Sequence, residues 1–271
     1  VCARCSVEGS RLWFTCNPES PGHWFYQEWI RKAEEKGALH LTFTMADNPG
    51  LSPKVLARYE SMFRGTFYRR FVLGEWAAAE GLVYDFFGPE LVQLVPEGLD
   101  GPWYISCDYG TVNPTSMGLW GKKGGVWYRT AEFYYDSRKT GRQQTDGEYA
   151  DDLARLAGGR DIRGVVLDPS AASFREELLR RGWTVYRAEN EVLSGIRRTA
   201  ELLRAGQLVI CTPCGDAVRE FGLYRWDTAA TGDRVIKEHD HAMDDIRYFA
   251  VTVAGRKTEG FFAGTVERGG G

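Results

Sequence analysis

No uninterrupted apolar run in the 271 residues approaches the roughly 20 needed to cross a bilayer, and the opening VCARCSVEGS lacks the charged-then-apolar pattern of a secretory leader. On that pattern no membrane role is expected, and the protein is placed in a cytoplasm. The phosphate-cradling loop G-x-x-x-x-G-K-[ST] occurs nowhere, so ATP hydrolysis is not expected from these residues. Neither a Ser-His-Asp nor a Cys-His pattern is present to supply a nucleophile. Net charge is also scarce: 34 Lys and Arg against 37 Asp and Glu leave −3, so a polyanion would have to be met by a local basic strip. Methionine is missing from the first position, where Val1 stands, which suggests a fragment of a longer chain. Six cysteines include the pairs Cys2/Cys5 and Cys211/Cys214. The pairs lie far apart in sequence with no His-x-His beside them, so reduced thiols are expected rather than zinc, with Cys16 and Cys107 buried in apolar runs. Apolar residues are not scarce: 43% hydrophobic and 13% aromatic content supplies a core for one large or two modest domains.

The first third reads as α/β. RLWFTCNP (11–18) is an apolar run stopped by Asn-Pro, and PGHWFYQEWIRKAEEKG (21–37) a helix closing on Gly37. LHLTFTM (39–45) alternates as a strand, and Ser52-Pro53 opens a helix over about 53–63. A further helical stretch ends near LGEW. The Pro- and Gly-rich 88–101 reads as a linker. Beyond it, strands are expected at 103–108, 115–121, 125–135, 164–168, 183–188 and 207–211. Helices are expected from Thr145, with Glu148 closing a capping box, and over 171–181 and about 191–205. The domains expected are therefore 1–87, a linker 88–101, 102–257, and a loose tail 258–271.

Two of these strands end alike. WYISCD and GVVLD each run apolar into an aspartate, Asp108 and Asp168, and then break. Ligands in open α/β sheets collect beyond the carboxyl ends of strands, so the two acids would share a crevice if the strands are neighbours. A lone aspartate there is usually only a turn former. HDHAMDDIRYFA (239–250) adds a helix capped by Asp240. Ala242, Ile246, Phe249, Ala250 and Val253 line its apolar face, with His241, Asp244, Asp245 and Tyr248 roughly opposite. Clustered carboxylates repel unless a cation lies among them. A hard divalent ion, Mg²⁺ or Mn²⁺, suits oxygen donors with one imidazole, and two such ions can drive phosphodiester hydrolysis without a nucleophilic side chain.

CDYGTVNPTSMGLW, LDPSAASF and KEHDHAMDDIRYF, in that order, resemble the ribonuclease H-like nuclease domain of phage terminase large subunits, most closely the PBSX-type subfamily. TCNPESPGHWFYQEWI, DNPGLSP, RRFVLGEWAAAEGLVYDFF and FYYDSRKTGRQQTDGEYADDL extend the resemblance over nearly the whole chain. It implies a ribonuclease H-like mixed sheet flanked by helices, preceded by a partial α/β ATPase segment. It further implies a two-metal endonuclease acting on concatemeric double-stranded DNA in an infected or lysogenic bacterial host. Asp108, Asp168, Asp244 and His241 match the metal-binding and catalytic positions. Asp245 stands where many relatives carry a small residue; it either joins the metal or pairs with an arginine such as Arg247 or Arg198. FTCNP resembles a motor coupling motif through Thr15 and Asn17, but without a phosphate loop ATP is not expected to bind here. Portal, small terminase subunit and further copies of the chain are the implied partners, with no membrane.

Contact with DNA phosphates is expected from Arg138, Lys139 and Arg142 in the polar loop before Thr145. The arginines of the 171–181 helix are read as solvated surface charge. DTAATGDRVIKE (227–238) reads as a hairpin that could bring Lys237 towards a scissile phosphate. A non-catalytic assembly module docking on the portal, or a resolvase- or transposase-type nuclease, is the alternative.

Overall fold

The computed structural model describes residues 9–62 and 65–255, which include no helix long and apolar enough to cross a membrane. Cys2, Cys5 and the tail 258–271 lie outside the described residues. The chain divides into two compact units, Val1–Pro89 with Arg219–Asp240, and Glu90–Val218 with His241–Gly271. Residues 219–240 thus belong with the first unit, whereas the sequence reading placed 102–257 in one continuous domain.

The first unit contains the helices α1 (Pro53–Met62) and α2 (Gly65–Phe71), and Ser52 Oγ accepts from the Val55 amide at 3.4 Å as expected of an N-cap. Within 21–37 only a short helical stretch around Tyr26–Ile30 forms before turns that end at Gly37, whose φ is +61°. The strand expected at 39–45 is not present. Residues 11–18 are irregular, and Leu39, Leu41 and Phe43 stand 79%, 59% and 73% exposed. A strand persists only when a neighbour pairs its backbone, and no described residue pairs with 39–45. Cys16, expected buried, is exposed. The segment 227–238 is hairpin-like: Trp226 bridges Val235, the Asp227 amide donates to Arg234 O at 2.7 Å, and Asp233 is locked to the buried Arg70.

The second unit is a seven-stranded mixed sheet flanked by helices, as the sequence led one to expect. Its strands are β1 (Val92–Gln93), β2 (Trp103–Asp108), β3 (Thr115–Lys123), β4 (Val126–Tyr135), β5 (Ile162–Leu167), β6 (Val185–Arg187) and β7 (Leu208–Cys211). The order is β1-β7-β4-β3-β2-β5-β6; β2, β3 and β4 are antiparallel neighbours, and every other pairing is parallel. Between strands run α3 (Ser137–Thr140), α4 (Asp146–Ala157), α5 (Ala172–Arg180) and α6 (Val192–Arg204); α7 (Gly215–Phe221) follows β7 and crosses the boundary of the unit, and α8 (His241–Phe249) returns to it. β1 lies inside the expected linker, while α3 and α7 were not anticipated.

Strand alternation assigns the two faces. Ile105, Cys107, Met117 and Leu119 point into a core shared with Tyr149 and Leu153 of α4 and Phe174 and Leu178 of α5. The opposite face carries Tyr104, Ser106 and Asp108, and α8 packs there. Phe249 stacks on Trp120 with ring centroids 4.2 Å apart and meets Trp127 edge-on at 5.1 Å.

Helix α4 starts where its capping box dictates: the Glu148 amide donates to Thr145 Oγ1 at 3.3 Å, and Glu148 Oε2 accepts from the Thr145 amide at 2.8 Å. Thr145→Ala is expected to lower stability by about 1 kcal/mol in urea unfolding; an unchanged midpoint would show the box to be idle.

Candidate active site

β2 and β5 are parallel neighbours, with Cys107 opposite Leu167. Asp108 ends β2 and Asp168 follows β5, and the Asp168 amide donates to Cys107 O at 3.3 Å. The two acids therefore leave the sheet from adjacent strand ends. Asp168 is further shaped by its own turn, accepting from the Ser170 amide at 3.1 Å and Ser170 Oγ at 2.6 Å.

Helix α8 lies across these strand ends. His241 Nδ1 is 3.0 Å from Asp108 Oδ2, and the Tyr248 hydroxyl is 3.5 Å from Asp108 Oδ1. Asp244, one turn after His241, accepts from Arg247 Nη2 at 2.9 Å and Nε at 3.3 Å, both on Oδ1. Arg247 also donates to Glu191 O at 3.3 Å and lies over the Tyr248 ring. Room for it comes from Gly195 of α6, where a Cβ would fall 2.7 Å from Arg247 Cδ.

Burial is the main reason that the Asp108 carboxyl is pushed up to about 7; the charges of Asp244 and Asp168 act in the same direction, and the hydrogen bond to His241 opposes them. The Tyr248 phenol is raised too, first by burial and then by Asp108 and Asp244. Three carboxylates, one imidazole and one guanidinium thus meet at these strand ends. Among the described residues, however, no three His, Cys, Asp or Glu side chains converge tightly enough to hold a metal ion as they stand.

Asp245 is occupied elsewhere. Fully buried, it accepts at Oδ1 from Ser106 Oγ at 2.8 Å and from Arg129 Nη1, and at Oδ2 from Ser116 Oγ and from Arg129 Nη2 at 3.0 Å. Of the two roles foreseen for it, the pairing with arginine is the one present, but the partner is neither Arg247 nor Arg198. Arg247 holds Asp244, and Arg198 pairs with Glu201 at 3.1 Å. Nor does Asp245 lie opposite the apolar face of α8: every residue from Ala242 to Phe249 is buried. The sequence reading missed Arg129, Ser106 and Ser116. The alternation of WYISCD, which puts Ser106 on the face of Asp108, was the available signal.

The expected phosphate contacts are exposed and engaged. Arg138 donates to Asn113 Oδ1 at 2.7 Å, Lys139 is 3.5 Å from Asp136, and Arg142 pairs with Glu148. Arg138 and Lys139 sit on α3 rather than in a loop. Lys237, in the first unit, is 3.3 Å from Asp240. Thr15 and Asn17 lie in irregular chain, both exposed. Cys211 and Cys214 are buried free thiols, pushed up to about 11 and about 12 chiefly by desolvation, so they stay protonated and inert.

No family model and no curated protein matches the chain. Among solved structures, a large terminase from a thermophilic bacteriophage, in complex with ADP, is 44% identical, with a TM-score of 0.89 over 94% of this chain and 65% of that one. The chain is similar to phage large terminases. It spans just under two thirds of that large terminase. The P22 large terminase nuclease domain, at 17% identity and TM-score 0.53, covers 64% of this chain and 92% of that domain. The large terminase nuclease of thermophilic phage G20c with bound magnesium, also 17% identical, gives a TM-score of 0.50 over 64% and 98%. These two likenesses show the fold alone. The expectation that ATP does not bind finds no support in the first of these comparisons, since that large terminase was crystallised with ADP.

Proposed function

We propose that the chain supplies a metal-dependent endonuclease of a phage DNA-packaging large terminase, of the PBSX type, that hydrolyses phosphodiester bonds of concatemeric double-stranded DNA. One observation carries the reading: on a chain 44% identical to a large terminase, Asp108 and Asp168 leave adjacent parallel strand ends, with His241 Nδ1 3.0 Å from Asp108 and Asp244 one helical turn beyond it. Hard oxygen donors around one carboxylate fit a divalent cation, Mg²⁺ or Mn²⁺. Asp108, Asp168 and Asp244 would hold one or two ions, with His241 at their edge. Asp168 and Asp244 would turn from Ser170 and Arg247 to do so. When bound, such ions activate water and stabilise the leaving 3′-oxygen.

The remaining work falls to the chain. His241 orients Asp108 through Oδ2, and the Tyr248 hydroxyl flanks Oδ1. Arg138, Lys139, Arg142 and Lys237 are the proposed phosphate contacts, which bind without reading sequence. Portal, small subunit and other copies of the chain are the proposed partners. Thr15 and Asn17 are proposed as remnants of motor coupling. Asp168→Ala should abolish Mn²⁺-dependent nicking of supercoiled plasmid while leaving the urea unfolding transition cooperative. Cleavage at the wild-type rate would reject the site.

A second reading, an assembly module without catalysis, draws on the exposed Trp13, Leu39 and Phe43 of the first unit. A wild-type chain inert with Mn²⁺ and Mg²⁺ at every protein concentration would favour it.

A further inference from the structure

Adjacent residues on an α-helix point about 100° apart, so of Asp244 and Asp245 only one can face the sheet while the other faces the strand ends. The apolar stripe of α8, with Phe249 stacked on Trp120, already inclines Asp245 rather than Asp244 towards the sheet. On the sheet side the decision is built in. Arg129 of β4 is fully buried, and both its terminal nitrogens meet Asp245. Gly118 of β3 is the notch that admits it: a Cβ there would lie 1.9 Å from Arg129 Nη1. Ser106 and Ser116 complete the carboxylate's partners, and Trp120 Nε1 donates to Ser106 Oγ at 2.8 Å. Arg129 is braced in turn by Glu132 at 3.4 Å, which accepts from the Asp216 and Ala217 amides at 2.6 and 3.2 Å.

We propose that Arg129 is a positioning residue that, by claiming Asp245, fixes the rotation of α8 and so delivers Asp244 and His241 to the cation site; the inference rests on the function proposed above. The pair joins β2, β3, β4 and α8 at one point, two residues before Asp108 on β2 and beside Asp244 on α8. A buried ion pair is a weak source of stability, because apolar residues of similar volume often replace it without loss. A two-pronged ion pair of fixed geometry adds a preference for one rotation of α8 to that set by apolar packing. A turn of one residue would bring Asp244 beneath Arg129 and remove it from the strand ends.

The test is Arg129→Met combined with Asp245→Leu in the full chain, which removes both charges together. Three measurements are made: urea unfolding, hydrogen exchange of the α8 amides without metal, and Mn²⁺ binding by calorimetry. A cooperative fold is expected, with faster exchange over residues 242–248 and Mn²⁺ affinity weakened by about tenfold or more, as for other residues that support metal ligands. Wild-type exchange and wild-type affinity in the folded double variant would overturn the proposal. Should that variant not fold, Arg129→Lys, which keeps the charge but loses the two-pronged contact, takes its place under the same criteria. A wild-type chain that binds no Mn²⁺ would count against the proposed function; the exchange result, which needs no metal, judges the positioning role separately.

Discussion

Asp108→Asn is expected to reduce cation-dependent nicking by about three orders of magnitude, the effect of several kcal/mol lost from transition-state stabilisation, and yet to make the metal-free protein more stable at pH 8. The second half follows from the state of the carboxyl. Its pKa is raised from an ordinary 3.8 to about 7, first by burial and then by Asp244 and Asp168. A raised carboxyl favours the folded state only while it is protonated. Its contribution is complete below pH 4, declines as the pH climbs, and is gone above about 7, where folding must carry a buried charge. The interval corresponds to about 4 kcal/mol at most. Asparagine keeps the shape without the charge. In EDTA, wild-type stability should therefore fall between about pH 4 and pH 7, and the variant should lack most of that slope. Mn²⁺ should restore the wild type at pH 8 by about 2.7 kcal/mol at a hundredfold excess over its Kd and leave the variant unmoved. A variant less stable than wild type at pH 8, with the same pH slope, would show that Asp108 is not the strained group described here.

Local signals carried the reading of the sequence furthest. WYISCD forms β2 through to its final acid, GVVLD lies on β5 with Asp168 one residue past the end of the strand, and the Thr145 and Glu148 spacing opens α4. These features depend on residues within a few positions of one another. Where the reading failed, the deciding partner was remote or absent from the pattern. LHLTFTM alternates like a strand, but alternation describes a half-buried surface and cannot supply the neighbour that a strand requires. The sequence keeps two roles open for Asp245 because its guanidinium partner lies 116 residues earlier, on β4. A lone arginine inside VWYRTAEFYY reads as a surface charge until the sheet order places β4 two strands from β2.

Gly118→Ala provides the sharpest test of that remote partnership, because the altered residue takes no part in the hydrogen bonds. In the middle of a strand, glycine to alanine ordinarily gains roughly 0.5–1 kcal/mol from reduced backbone freedom, and the φ of Gly118 is not among the positive ones that would reverse this. Here the new methyl carbon would fall 1.9 Å from Arg129 Nη1 and 2.5 Å from its Cζ. Guanidinium tips on a surface swing aside at little cost, but this one is fully buried between Asp245 and Glu132. It can leave only by breaking the pair and stranding a buried carboxylate, which costs about 3–5 kcal/mol. The clash should therefore win, with a net loss of about 3 kcal/mol in urea unfolding at an unchanged m-value. A second change, Arg129→Met with Asp245→Leu, should recover most of that loss, because it removes the charges that the methyl group would otherwise separate. A Gly118→Ala protein as stable as wild type, or more so, would mean that Arg129 has an alternative seat and that the rotation of α8 is set by Phe249 against Trp120 instead.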